Sequence, residues 1–325
     1  MGTLVVDVAG TGLAALDRVV EGRREIFSGL GGSCGNVLIS LAMLGRKVVP
    51  LLTLGDDKTG DALIDEFRRA GANVNYIDKS RELNSPVIIQ DLDSENAQHS
   101  FRFYNDAVEL EEADTPAHYP IDRAQVNRAG PILEACNLFY TDRLSIGIVE
   151  AMERAFESGA FVYFEPSRID DGALFDRALL ATSILKYSSE RLGDRLNSAV
   201  LRPDTIRIAT HGEHGLEIFQ GTQRIERGAV SLGKVRDTCG AGDMVTVGII
   251  DWMLDLHMRA FRVNLDSLVE GVERGQRLAA ANCSYFGARG IFRDRGPDVA
   301  RELLKTGRYD QNVFQPSFWG EQSAE

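Results

Sequence analysis

Residues 235–243 read Val235-Arg236-Asp237-Thr238-Cys239-Gly240-Ala241-Gly242-Asp243, and the apolar run Met244-Val245-Thr246-Val247-Gly248-Ile249-Ile250 follows at once. Three small residues stand directly before an acid, where a long helical pattern begins. Small residues let the backbone come close to a ligand. The first N–H groups of a helix have no internal partner, and the helix dipole adds positive potential there. Together they form an anion site able to hold a transferring phosphate. An aspartate at its rim can take the proton of an attacking hydroxyl. The stretch thus predicts a phosphoryl-transfer centre, with Gly240, Ala241 and Gly242 as the anion hole and Asp243 as the base. It reads equally as a helix-capping Asp after a Gly-rich turn.

Further out, Gly29-Leu30-Gly31-Gly32-Ser33-Cys34-Gly35-Asn36 is a second Gly-rich turn opening a helix. Leu54-Gly55-Asp56-Asp57-Lys58-Thr59-Gly60 comes next. With the first stretch, these segments resemble the ribokinase-like (PfkB) family of sugar kinases. That family has a GGxxxN-type segment, then a GDDxxG-type segment, then a DTxGAGD segment, in this order. The resemblance runs from about residue 5 to about residue 290.

The resemblance implies an α/β fold: a three-layer α/β/α domain over residues 1–310 with a small β-sheet lid. The lid would come from residues 16–28 and 86–104, leaving a tail at 311–325. The implied activity is transfer of the γ-phosphate of ATP to a hydroxyl of a sugar or related small molecule, with Mg²⁺ bridging the phosphates. Asp17, placed at the end of the first strand, would hold sugar hydroxyls with Gly32 and Asn36. Thr210, Gly212 and Gly215 match a TxGxxG segment lining the nucleotide. Glu190 matches the acid that holds Mg²⁺ through water. Tyr187 stands where that segment has Asn, so Lys186 or Ser188 would supply the phosphate contact. Asn282 and Gly287 match a late pattern near adenine. Asp237 and the carbonyl of Cys239 match ligands of a monovalent cation such as K⁺. Glu165-Pro166-Ser167-Arg168 departs from a D-P-N-x-R-like segment, and no role is carried to it.

The 325 residues are 44% hydrophobic and 26% charged, enough for a sizeable core. A formal charge of −12 argues against nucleic-acid or anionic-membrane partners, which need a basic face. Four widely spaced cysteines without a C-x-x-C pair argue against a zinc site or a disulfide framework. No leader-like n-region and no long apolar span are seen, which predicts a soluble, cytoplasmic protein.

Hydrophobic patterning predicts strands at 3–9, 48–53, 74–77, 138–141, 161–165, 184–187 and 206–210. It predicts helices at 37–44, 59–70, 146–157, 243–256 and 265–286. The alternation argues for a parallel sheet with crossover helices. Residues 87–89 and 101–104 flank a polar stretch, as in an antiparallel hairpin, and 216–220 with 223–226 look like another. The aromatics Phe101, Phe103 and Tyr104 predict a homodimer through the lid.

Other readings remain. Gly10-Thr11-Gly12-Leu13-Ala14-Ala15 fits the dinucleotide fingerprint of a Rossmann oxidoreductase, which requires a crossover helix immediately afterwards. A nucleoside kinase of the same fold and a catalytically weak sensing relative are also open.

Overall fold

The computed structural model describes residues 4–93, 98–105, 108–110, 121–196, 199–256 and 263–309. The predicted tail at 311–325 lies outside them. The chain opens with β1 (Val6–Thr11), the hairpin of β2 (Ala15–Glu21) and β3 (Arg24–Gly31), and α1 (Ser33–Met43). Then come β4 (Val48–Pro50), β5 (Leu52–Gly55), α2 (Lys58–Arg69), β6 (Ile77–Ser80), β7 (Val87–Asp93), β8 (Gln98–Asn105) and β9 (Val108–Leu110). The middle holds α3 (Arg123–Arg128), α4 (Gly130–Ala135), β10 (Cys136–Thr141), α5 (Ile146–Glu157), β11 (Phe161–Phe164), α6 (Gly172–Leu180), β12 (Ile184–Ser188) and α7 (Ser189–Leu196). The last third holds β13 (Ile206–Thr210), β14 (Leu216–Gln220), β15 (Gln223–Arg227), α8 (Ala241–Asp255), α9 (Leu265–Asn282), α10 (Gly290–Arg295) and α11 (Pro297–Thr306).

An eight-stranded sheet runs β15-β14-β13-β12-β11-β10-β1-β4, parallel from β13 to β4 and closed at the other edge by the antiparallel β14 and β15. Its parallel strands are apolar on both faces, as they must be when helices cover both. Successive residues split between two cores. Val8, Leu138, Tyr163 and Ile184 pack with α1, α8 and α9 on one face. Ala9, Phe139, Phe164 and Leu185 pack with α5, α6 and α7 on the other. This is the three-layer arrangement expected.

A second sheet, β3-β2-β7-β8-β9, stands apart from the first. β2 pairs in parallel with β7, and β7 pairs antiparallel with β8. The 16–28 and 86–104 stretches therefore meet in one sheet. Its inward face carries Asp17, Val19, Ile88 and Gln90, all buried.

Three expectations need correction. Asp17 lies inside β2, not at the end of β1, because the chain turns at Gly12 and enters the second sheet. No crossover helix follows β1, so the Rossmann reading of Gly10–Ala15 is wrong. The predicted strand at 48–53 is two strands: β4 pairs with β1, and β5 leaves to pair with β6. Finally, 74–77 is mostly a 3₁₀ turn, Val74–Tyr76, because Asn73 accepts the N–H of Asn75 and so favours a turn over a ladder.

Helices α8 and α9 cross at Gly248 and Gly275. A methyl group added at Gly248 would lie 2.4 Å from the Gly275 Cα, so the two backbones touch. Gly248→Leu is expected to force them apart and cost about 1–3 kcal/mol or more. A urea melt checks this, and an unshifted midpoint would contradict the close packing.

Candidate active site

The site begins where two helices start. Gly240 caps α8 with φ 69°, a left-handed conformation, and its α-carbon faces Ala288 so closely that a side chain would overlap it. Only glycine suits both conditions. Asp243 sits in the first turn of α8 and is 8% exposed. Across from it, Asn36 in the first turn of α1 donates through Nδ2 to Asp243 Oδ2 at 2.8 Å. The two Gly-rich turns, whose Asn36 and Asp243 are 207 positions apart, are thus brought face to face by helices packed on one side of the sheet.

Burial pushes the Asp243 carboxyl up to about 7, and the nearby Glu165 carboxylate pushes in the same direction. The Asn36 bond and the Lys186 ammonium oppose the rise. A carboxylate tuned near neutrality, with N–H groups beside it, can accept a hydroxyl proton at physiological pH.

Asp237 organises the turn before the anion hole. Its Oδ1 accepts the Cys239 N–H at 2.9 Å, and its Oδ2 accepts the Gly287 N–H at 2.8 Å. The same Oδ2 accepts Gln90 Nε2 at 2.8 Å. Gln90 belongs to β7 and is 0% exposed, so one side chain ties the small sheet to the anion-hole turn. Both oxygens of Asp237 accept N–H groups. Gln90→Leu leaves a buried carboxylate short of a donor and unties the sheet. Turnover at saturating substrates is expected to fall about tenfold, on the scale of a charge-assisted bond. Unchanged steady-state turnover would contradict the tie.

Asp17 faces the same space from β2 and is 6% exposed. Its carboxylate accepts no hydrogen bond among the described residues. Burial pushes it up to about 7; the Arg289 guanidinium lowers it and Asp237 raises it. Gly32 precedes α1 at this edge with φ 76°.

Beneath Asp243 lie Lys186, expected to contact phosphate, and two acids, Glu165 and Asp142, to which the sequence carried no role. Lys186, 2% exposed, pairs with Glu165, whose Oε2 accepts the Thr246 hydroxyl at 2.6 Å. A methyl group on Gly242 would lie 3.6 Å from Lys186 Nζ, so the ammonium stands under the anion hole. Asp142 is buried, accepts the Leu13 N–H at 3.0 Å and pairs with Arg143. Glu165 and Asp142 follow β11 and β10 directly. An acid just past the carboxyl end of a parallel strand was the available signal, because ligand sites collect there.

The remaining expected residues divide. Thr210 ends β13, and its hydroxyl donates to the Tyr187 carbonyl at 3.3 Å. Gly212 is exposed with open space beside it. Gly215 is buried, and a side chain there would strike the Arg227 carbonyl at 2.1 Å, so it serves the turn between β13 and β14. Glu190 is exposed in the first turn of α7. Tyr187 does not face this edge; it packs into the core with Leu192 and Ala209. Asn282 reaches no solvent. It donates to the Ala288 carbonyl at 3.1 Å and accepts the Ile291 N–H at 3.1 Å, so it holds the turn containing Gly287. Among the described residues, no group of three His, Cys, Asp or Glu side chains is placed to hold a metal. A lone acid such as Glu190 fits Mg²⁺ held mainly by phosphates and water. No helix of the described residues is long and apolar enough to cross a membrane.

Two facing helix starts and a buried aspartate at a sheet's carboxyl edge define a phosphotransferase class of site. The pfkB family carbohydrate kinase model matches residues 4–294. The chain belongs to this family and is a phosphotransferase acting on an alcohol group. A fructokinase of Vibrio alginolyticus is 23% identical over 259 residues, covering 74% of this chain and 81% of that protein. A guanosine-inosine kinase of Exiguobacterium acetylicum is 32% identical over 114 residues, 35% of this chain and 38% of that one. The crystal structure of a fructokinase with bound ATP from Xylella fastidiosa superposes with a TM-score of 0.71 at 20% identity, covering 87% of this chain and 93% of that one.

Proposed function

We propose that this protein transfers the γ-phosphate of ATP to a hydroxyl of a sugar or closely related small molecule. The observation that carries the reading is the buried Asp243 at the start of α8, held by Asn36 and tuned toward neutral pH. Asp243 accepts the proton of the attacking hydroxyl. The N–H groups of Gly240 and Gly242 face the charge that builds on the transferred phosphoryl group, while that of Ala241 donates to the Thr238 carbonyl at 3.2 Å and shapes the turn. Lys186, under Gly242, adds positive potential there. Asp17, Gly32 and Asn36 orient the acceptor; the Asp17 carboxylate, which accepts no hydrogen bond among the described residues, suits a pair of hydroxyl donors. ATP lies along the carboxyl edge past Thr210, Gly212 and Gly287. Mg²⁺ supplies charge neutralisation between the phosphates when bound, and Glu190 would hold it through water. The small sheet covers the acceptor and excludes water, which limits loss of phosphate to hydrolysis.

A nucleoside acceptor is the second reading, favoured by the partial likeness to the guanosine-inosine kinase. A coupled assay of ADP release over sugars, sugar acids and nucleosides tests both. Turnover with a sugar or sugar acid alone supports the first, turnover with nucleosides alone the second. No turnover with any of them overturns the proposal.

A further inference from the structure

Arg289 is a buried cation that the mechanism above does not use. It is 8% exposed, in the segment between Gly287 and α10. Three elements meet on it. It donates through Nη2 to the carbonyl of Leu30, next to the last residue of β3. It pairs with Glu66 of α2 at 3.5 Å. Glu66 in turn accepts the Leu30 N–H at 2.8 Å, so both backbone groups of Leu30 are held by one ion pair. Asp17 lies against the next residue: a methyl group on Gly31 would fall 2.2 Å from the Asp17 carboxyl carbon.

The charges around this spot are few. Asp17 faces Arg289, with Asp237 of the anion-hole turn as its like-charged neighbour. Cys239 lies near both acids. Arg289 faces Glu66 and Asp17, with Arg293 of α10 as its like-charged neighbour. Through Leu30 and Gly31, Arg289 is thus placed beside Asp17, and its opposite charge favours the ionised carboxylate.

A buried carboxylate that makes no hydrogen bond is costly, and a nearby guanidinium offsets that cost without occupying its lone pairs. That is the condition a hydroxyl-binding carboxylate needs: charged, yet open to donors. Arginine suits the position because it stays protonated when buried.

We propose that Arg289 is a positioning residue for the acceptor: its charge holds Asp17 as an open carboxylate while its hydrogen bond fixes the Leu30-Gly31-Gly32 turn beside it. The inference rests on the reading of Asp17 as an acceptor ligand. It adds a residue from the Gly287 segment, on the nucleotide side, to the acceptor's binding energy.

Charge and hydrogen bond are separable. Arg289→Lys keeps the charge and a donor. Arg289→Gln keeps a donor for the Leu30 carbonyl but removes the charge. With an acceptor in hand, Arg289→Gln is expected to raise the acceptor KM about tenfold, the scale of a lost charge-assisted contact, with kcat and the ATP KM little changed. Arg289→Lys should restore most of it. In an Asp17→Ala background, Arg289→Gln should have almost no further effect, because the path runs through Asp17.

Equal losses for Lys and Gln, or an undiminished effect of Arg289→Gln without Asp17, would overturn the proposal in favour of a structural clamp. Should Arg289→Gln not fold, the Lys variant decides: an acceptor KM raised as far as by Asp17→Ala overturns the proposal, and a near-normal one supports it. If Asp17→Ala itself leaves the acceptor KM unchanged, the reading of Asp17 fails rather than the role of Arg289 alone.

Discussion

Asp243→Asn is expected to cut turnover on the order of a hundredfold or more, since a positioned base contributes about that much. ATP binding should persist, because the N–H groups of the anion hole come from backbone. The wild-type profile should carry a limb near neutral pH. Asp243 is pushed up to about 7 by burial and by Glu165, so kcat falls as pH drops through that value and the base protonates. The Asn variant should lose this limb. Stability should move the other way. The folded carboxyl titrates above its unfolded value, so the folded state holds this proton more tightly. Its ionisation therefore lowers stability as pH rises through the folded value, about 7. Asn carries no such charge, and a raised Tm at pH 8 is expected. Near-normal turnover in Asp243→Asn, measured with a confirmed acceptor, would remove Asp243 as the base.

Asp17→Ala should raise the acceptor KM by one to two orders of magnitude, as loss of hydrogen bonds to a charged group costs about 1.5–3 kcal/mol. The ATP KM should move little, because Asp17 lies on the inward face of the small sheet beside Gly31. Initial rates over both substrates check this. Equal rises in both constants would assign Asp17 to the joint between the sheets instead.

Much of the fold was written in local pattern. Strands such as Cys136–Thr141 and Ile184–Ser188 read as apolar runs because both of their faces are covered. The switch at Pro86 to hairpin patterning marked strands of the second sheet. The errors came where local signals were balanced by distant partners. Nothing around Leu51 says that the chain will leave β1 for β6; that is set by the pairing of Leu52 with Ile77. Asp17 was misplaced because a Gly-rich stretch after a strand does not say which sheet comes next.

At the site, the residues carried by motif were legible: Asp243, Asn36, Gly240 and Gly32 stand at the two helix starts. Gln90, Glu165, Asp142 and Arg289 were not, because each acts through a partner far away in the chain. Gln90 and Asp237 are 147 positions apart, a pairing that no short pattern encodes. Asn282 shows the converse. Its motif match speaks of a nucleotide and is silent on the bonds to Ala288 and Ile291 by which it holds the turn containing Gly287.

The central claim is direct transfer of phosphate from ATP to an acceptor hydroxyl at Asp243. The most direct test follows the phosphate itself, using ATP labelled in the γ-position with an acceptor found by the screen. The label is expected in an acid-stable ester of the acceptor, formed only when the acceptor is present and slowed in Asp243→Asn. Label appearing as inorganic phosphate at a rate independent of the acceptor and of Asp243 would contradict the account.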